Sequence, residues 1–255
     1  MSRIRSLVPV TLALAGALAL PDAAEAQTAP RLVVEVEGGA VWQGYNDVEI
    51  PNDGSATRFS LSDLTGAGPW PAGRVYVTWS LGERHALRAL AAPLSLSETG
   101  VPSTPIDFEG ARFAAGVPLD ASYTFNSYRL TYRYRVRATE RSTAWVGFTA
   151  KVRDATVGLE QGAIAREKEN VGFVPLLHVA GELRAGPRWR FSLDADALAG
   201  GPGRAVDAAL KVGYDLRDDL TLQVGYRTLE GGADVEETYN FAWLHYAVAS
   251  VVWRP

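Results

Sequence analysis

The chain reads as an all-β protein, an up-and-down antiparallel transmembrane β-barrel of about ten strands. Three observations carry this reading. Side chains alternate apolar and polar with a period of two through most of the chain after residue 30, the mark of strands with two different faces. The alternating runs are mostly 11 to 17 residues long, whereas soluble sheets favour about five or six and a tilted strand crossing a bilayer needs about 9 to 11. Short and longer connections alternate strictly along the chain.

The N-terminus comes first. Arg3 and Arg5 precede an uncharged apolar stretch from Leu7 to Leu20, and Ala24-Glu25-Ala26 supplies a small-x-small cleavage site ahead of Gln27. This is the layout of a secretory signal peptide. Its 14 apolar residues fall short of the roughly 20 that a spanning helix needs. The expected organisation is a cleaved signal over 1–26 and one barrel domain over 27–255. The chain has no cysteine, so it uses no disulfide, thiol chemistry or lipid anchor on a mature N-terminal cysteine. A formal net charge of −4 lacks the basic surplus of a nucleic-acid partner.

Strands are expected near 31–43, 72–82, 85–97, 121–137, 143–159, 170–184, 189–199, 205–216, 220–230 and 239–253, with eight or twelve left open as totals. The run from Ser127 to Val136 is the clearest. Tyr128, Leu130, Tyr132, Tyr134 and Val136 share one face, opposite Ser127, Arg129, Thr131, Arg133 and Arg135. The turns at Glu83-Arg84, Ala138–Ser142, Gly186-Pro187-Arg188 and Arg217-Asp218-Asp219 are short, and the first two connections at the other end exceed twenty residues. An even strand number puts both termini on the short-turn side.

Aromatic side chains gather at strand ends under this topology. Trp79, Tyr134, Trp189, Tyr214 and Trp253 fall on the short-turn side, with Trp145 out of parity. Trp42, Tyr226 and Tyr239 fall on the other, together with Tyr45, Trp70, Tyr123, Phe173 and Phe241. Amphipathic rings prefer the headgroup boundary, so two girdles are expected. With its signal segment, alternation, girdles and final strand ending at Trp253, the chain resembles the small bacterial outer-membrane β-barrels. Arg254 and Pro255 extend beyond that last aromatic. The resemblance implies a location in the cell outer membrane, with periplasmic turns and extracellular loops. It also implies contact with outer-membrane lipid and lipopolysaccharide, and recognition of the C-terminal strand by the barrel-assembly machinery.

If the apolar faces meet lipid, the lumen receives the charges. Its acids are Glu35, Glu37, Glu182, Asp194, Asp196, Asp207 and Asp215, and its bases Arg74, Arg129, Arg133, Arg135, Lys151, Arg153, Arg184, Arg190, Lys211 and Arg227. His178 joins them, near Asp194, and a three-residue turn is expected to set Glu182 opposite Arg190. The parity of the third strand is ambiguous, so Arg88 could point either way. The lumen is read as a side-chain plug of ion pairs, because buried charges must be paired. A narrow anion-preferring pore is the alternative. The loops are acidic, with Asp47, Glu49, Asp53, Asp63, Asp107, Glu109, Glu236 and Glu237 against Arg58, Arg112, Arg166, Lys168 and Arg204. Solvation accounts for these acids, and divalent cations bridging them to lipopolysaccharide are the sharper reading.

Catalysis would need a histidine base with an orienting carboxylate. The histidines are His85, His178 and His245, and the best triad is His178 with Asp194 and Ser192, deep in the lumen. The Asp-x-His pair of omptin-type surface proteases has no counterpart. A hydrolase acting on lipid A or surface peptides is therefore only a second alternative. No catalytic residue, metal ligand set or cofactor is expected, and the role read from the sequence is structural or surface-interacting.

Overall fold

The computed structural model describes residues 31–201 and 203–255, so the signal segment over 1–26 lies outside the described residues. The elements are β1 (Leu32–Glu49), β2 (Phe59–Ser60), α1 (Leu61–Thr65), β3 (Trp70–Ser80), β4 (His85–Ala92), β5 (Ser95–Gly100), β6 (Ile106–Phe108) and β7 (Ala111–Phe113). They continue as β8 (Leu119–Ala138), β9 (Ser142–Gln161), β10 (Ile164–Ala185), β11 (Trp189–Gly200), β12 (Gly203–Arg217), β13 (Leu220–Val235) and β14 (Thr238–Trp253). Neighbouring strands pair antiparallel, and β14 pairs back onto β1 from Trp253 opposite Val34 to Tyr239 opposite Glu49, which closes the barrel. β4 and β5 both pair with β8 and form one wall strand broken at Pro93, which has no N–H to give a ladder. The wall therefore has ten strands.

The long-connection end differs in one respect from the reading above. Its first two connections are long, but β9 and β10 run on to Gln161 and Ile164 through a segment expected to be loop, and β13–β14 does the same to Val235 and Thr238. The physical reason lies in a change of medium. Along β8, Tyr128, Leu130, Tyr132 and Val136 point outward and exposed, with Arg129, Thr131 and Arg133 buried inside. Above Ser127 the side-chain parity is unchanged, but the outward residues become Asn126, Thr124, Ser122 and Asp120, and the inward ones Phe125, Tyr123, Ala121 and Leu119. On β9 the same switch falls at Asp154, whose carboxylate accepts a 3.0 Å hydrogen bond from Asn126. On β10 it falls where Val171 gives way to Glu169.

Below that line the exterior is apolar and the interior polar. Above it the order reverses, as in a soluble sheet. The apolar exterior of β10 runs from Leu183 to Val171, about 40 Å of strand that becomes about 30 Å along the barrel axis at a typical tilt. This matches the hydrocarbon thickness of a bilayer.

The outer end is filled by a small apolar core. Leu61 and Leu64 of α1 enter it with Ile106, Phe108 and Phe113 of the β6–β7 hairpin, and they meet Val41, Leu96, Leu119, Tyr123, Leu159 and Leu244 of the wall. The segment between β1 and β3 thus folds over the mouth of the barrel. Ser60 caps α1 by accepting from the Asp63 amide at 3.2 Å. Gln43 donates to Thr65 Oγ1 at 2.9 Å and to the Gly66 carbonyl at 3.1 Å, which ties the end of α1 to β1. At the rim, Glu49 accepts from Arg58 at 2.8 Å and raises the pKa of that exposed guanidinium above its ordinary value.

One contact in the cap tolerates no side chain. A Cβ on Gly100 would lie 2.3 Å from the Leu64 carbonyl oxygen. Gly100→Val is expected to displace α1 while leaving the wall paired. Limited proteolysis in detergent should then cut within 50–69 at least tenfold faster than in the wild type, with unchanged heat-modifiable migration of the barrel on a gel.

Candidate functional site

In the membrane-spanning half, alternate residues from every strand converge on the axis. Asp207 of β12 lies at the centre. It accepts from Arg74 at 3.0 Å, Arg129 at 2.6 Å and Arg227 at 2.5 Å, three guanidiniums from three other strands. Glu37 accepts from Arg227 Nε at 3.0 Å, lies 3.7 Å from Arg74 and contacts Lys211. Glu35 pairs with Arg88 at 2.9 Å and Lys211 at 2.5 Å. Asp194 accepts from Arg88 at 2.5 Å and from Arg133. Asp196 takes Arg129 at 2.8 Å, His178 Nδ1 at 2.8 Å and the Thr149 hydroxyl at 2.7 Å. The Tyr76 hydroxyl accepts from Arg227 at 2.8 Å, and the Arg88 guanidinium lies 4.0 Å from the centre of its ring. A void of about 10 Å³ lies among Tyr76, Arg88, Arg129, His178, Asp194, Asp196 and Arg227, room for one water at most.

A second, smaller cluster sits toward the short-turn end. Arg190 pairs there with Glu182 at 2.5 Å and Asp215 at 2.7 Å, Thr221 donates to Asp215 at 2.6 Å, and Arg254 donates to Thr221 at 2.7 Å. Two register expectations need correction. The 186–188 turn sets Ala185 against Trp189, so Glu182 faces Ser192 and Arg190 faces Arg184, and Arg190 reaches Glu182 diagonally. His178 lies opposite Asp196 and bonds to it, not to Asp194.

Not every expected member joins the network. Arg135 sits half-buried beside a bulge in β8, and Arg184 is exposed at the short-turn end. Neither forms an ion pair among the described residues. Lys151 and Arg153 face inward without a carboxylate partner among the described residues; Arg153 bonds only to the Asn170 side chain. Conversely, Arg88 and Tyr76 belong to the network although the sequence reading left them out. For Arg88 the deciding signal was weak. On β4 both faces are apolar, with Leu87 and Ala89 outward and Ala86 and Leu90 inward, so alternation could not orient it. Tyr76 shares the parity of Arg74 and was legible by that rule alone.

Solved structures resemble this architecture. The outer membrane protease OmpT of Escherichia coli aligns with a TM-score of 0.54 at 8% identity, covering 87% of this chain and 96% of that one. The translocator domain of the autotransporter NalP of Neisseria meningitidis aligns at 0.44 and 11% identity, covering 90% of each chain. Neisserial surface protein A aligns at 0.39 and 10%, covering 88% and 97%. This is the fold of a small bacterial outer-membrane β-barrel. No family model and no curated protein matches the sequence.

Aromatic residues gather at both ends of the apolar belt. Trp79, Trp189 and Trp253 are exposed at the short-turn end with Tyr134 and Tyr214 beside them, and Trp189 packs on Tyr214 at 5.1 Å. At the outer boundary Trp42, Tyr45, Phe173, Tyr226 and Trp243 face outward, and Tyr226 bonds to outward-facing His245 at 2.5 Å. Tyr239 stands higher, against Arg58 at 3.8 Å. Trp70 and Tyr123 point inward into the cap core instead, and Phe241 is covered by Arg204 at 4.6 Å. Among the described residues no three side chains of metal-binding type converge, in the acidic loops or elsewhere.

Because Asp207 holds three guanidiniums, its loss leaves buried like charges facing one another. Asp207→Asn is expected to destabilise the barrel by about 3–5 kcal/mol, read from urea unfolding in detergent by tryptophan fluorescence.

Proposed function

We propose that this chain resides in the outer membrane as a closed, non-conducting barrel with a structural or surface-interaction role, presenting an ordered acidic cap to the outside. The observation that carries this reading is closure at two levels. The ion-pair network fills the middle of the lumen, and the apolar core fills the outer end. A pore needs a continuous water path, and the void beside Asp194, Asp196 and Arg129 has room for a single water. A hydrolase needs a histidine open to substrate, and His178 is 2% exposed with its Nδ1 committed to Asp196. The apolar belt and girdles suit outer-membrane lipid and lipopolysaccharide, and the last strand ends on Trp253 as a substrate of the barrel-assembly machinery would.

The test is electrical. Refolded protein in planar bilayers should give no stepwise conductance at either polarity. Openings with anion preference, altered by Arg129→Glu or Arg133→Glu, would replace this reading with the pore. Surface binding should depend on the cap loops and survive every lumen substitution that leaves the barrel folded.

A further inference from the structure

The barrel wall is not paired all the way up. β10 pairs with β9 along its whole length to Ile164, but it pairs with β11 only from Ala185 up to Leu177. Above Leu177, the segment of β10 from Gly172 to Leu176 has no ladder on its other side, and the top of β11 pairs only with β12. Pro175 sits in this segment and has no N–H for a neighbour, as suits an edge. The break lies in the outer part of the apolar belt, from Leu176 up to where Val171 gives way to Glu169. Unpaired peptide groups are unfavourable in hydrocarbon, so a ligand or side chain covering this stretch is favoured.

A cavity of about 400 Å³ passes through the break. Phe173, Pro175, Arg204 and Val206 line it on the outside of the wall, and Tyr123, Phe125, Leu176 and Leu229 line it within. Its surface is mainly apolar, and its size is that of a small-ligand site. Two cations stand in the inner lining, beside Asp207, whose carboxylate is already held by Arg74, Arg129 and Arg227. Lys151 is 4% exposed and, alone among the buried bases of the described lumen, has no ion pair; its ammonium lies 4.9 Å from the centre of the Phe125 ring. Arg153, next but one along β9, bonds to Asn170, and its Nε is buried without a partner. Every other buried cation nearby is matched to a carboxylate, so this pair is a local exception in a network built on matching. A buried cation with no carboxylate paired to it is costly.

We propose that this cavity binds a single-chain anionic amphiphile of the long-chain fatty-acid class. The ligand enters sideways from the bilayer between β10 and β11–β12, its carboxylate facing Lys151 and Arg153 and its chain lying along the apolar lining. The direction of entry rests on the membrane setting proposed above, whereas binding itself can be read in detergent.

The experiment uses full-length refolded protein in detergent and a naturally fluorescent polyene fatty acid, with energy transfer from the protein's tryptophans as the signal. Heat-modifiable migration establishes folding separately for every sample, so a failed barrel is distinguished from a failed site. Saturable transfer is expected, displaced by palmitate and at least tenfold less well by the uncharged hexadecanol. Ala205→Phe, which fills the cavity, should abolish the saturable component. Lys151→Met, which removes an unmatched buried charge and does not threaten folding, should weaken palmitate about tenfold and leave hexadecanol unchanged. Non-saturable transfer, or transfer unaltered in folded Ala205→Phe, means partition into micelles and overturns the proposal. Equal competition by palmitate and hexadecanol, or an unaltered palmitate affinity in Lys151→Met, overturns it as well.

Discussion

A strand wall in hydrocarbon leaves its charged side chains no direction but inward, and charges confined there must satisfy one another. Asp207 with Arg74, Arg129 and Arg227, and Glu35 and Glu37 around Lys211, are the outcome of that constraint. The pairs join β1, β3, β8, β12 and β13, so the network also cross-links the wall from within. Buried ion pairs of this kind add little net stability compared with an apolar filling, but removing one member strands the rest.

The same wall serves two media. Side-chain direction keeps its parity along β8, β9 and β10, and only the polarity of the two faces exchanges at Asn126, Asp154 and Glu169. Below the exchange the protein is a membrane barrel filled with charge. Above it the protein is a soluble β structure filled with Leu, Phe and Tyr, which accepts α1 and the β6–β7 hairpin as part of its core. The lateral break between β10 and β11 begins above Leu177, in the outer part of the apolar belt, and runs up to this transition.

Much of this was legible in the sequence. Alternation over long runs, the short turns and the aromatic strand ends determined an antiparallel barrel and its direction, because period-two patterning between lipid and a polar interior needs no tertiary information. It also placed Asp207, Arg129 and Glu37 inside. Alternation alone does not say which medium lies outside, so the polar top of β10, from Ile164 to Glu169, read as loop, and Tyr123 and Trp70 read as girdle although they face the cap core. Nor could it orient Arg88 on a strand apolar on both faces.

Which charge meets which was beyond the sequence altogether. Arg74 and Asp207 are 133 residues apart, and His178 chose Asp196 over Asp194 through a register set by the 186–188 turn. Ion-pair partners, the folded cap and the break in the wall follow from strand stagger and barrel closure, which exist only once all ten strands are in place. The sequence by itself determined the faces of the wall; the closed barrel decided what fills it and where it opens.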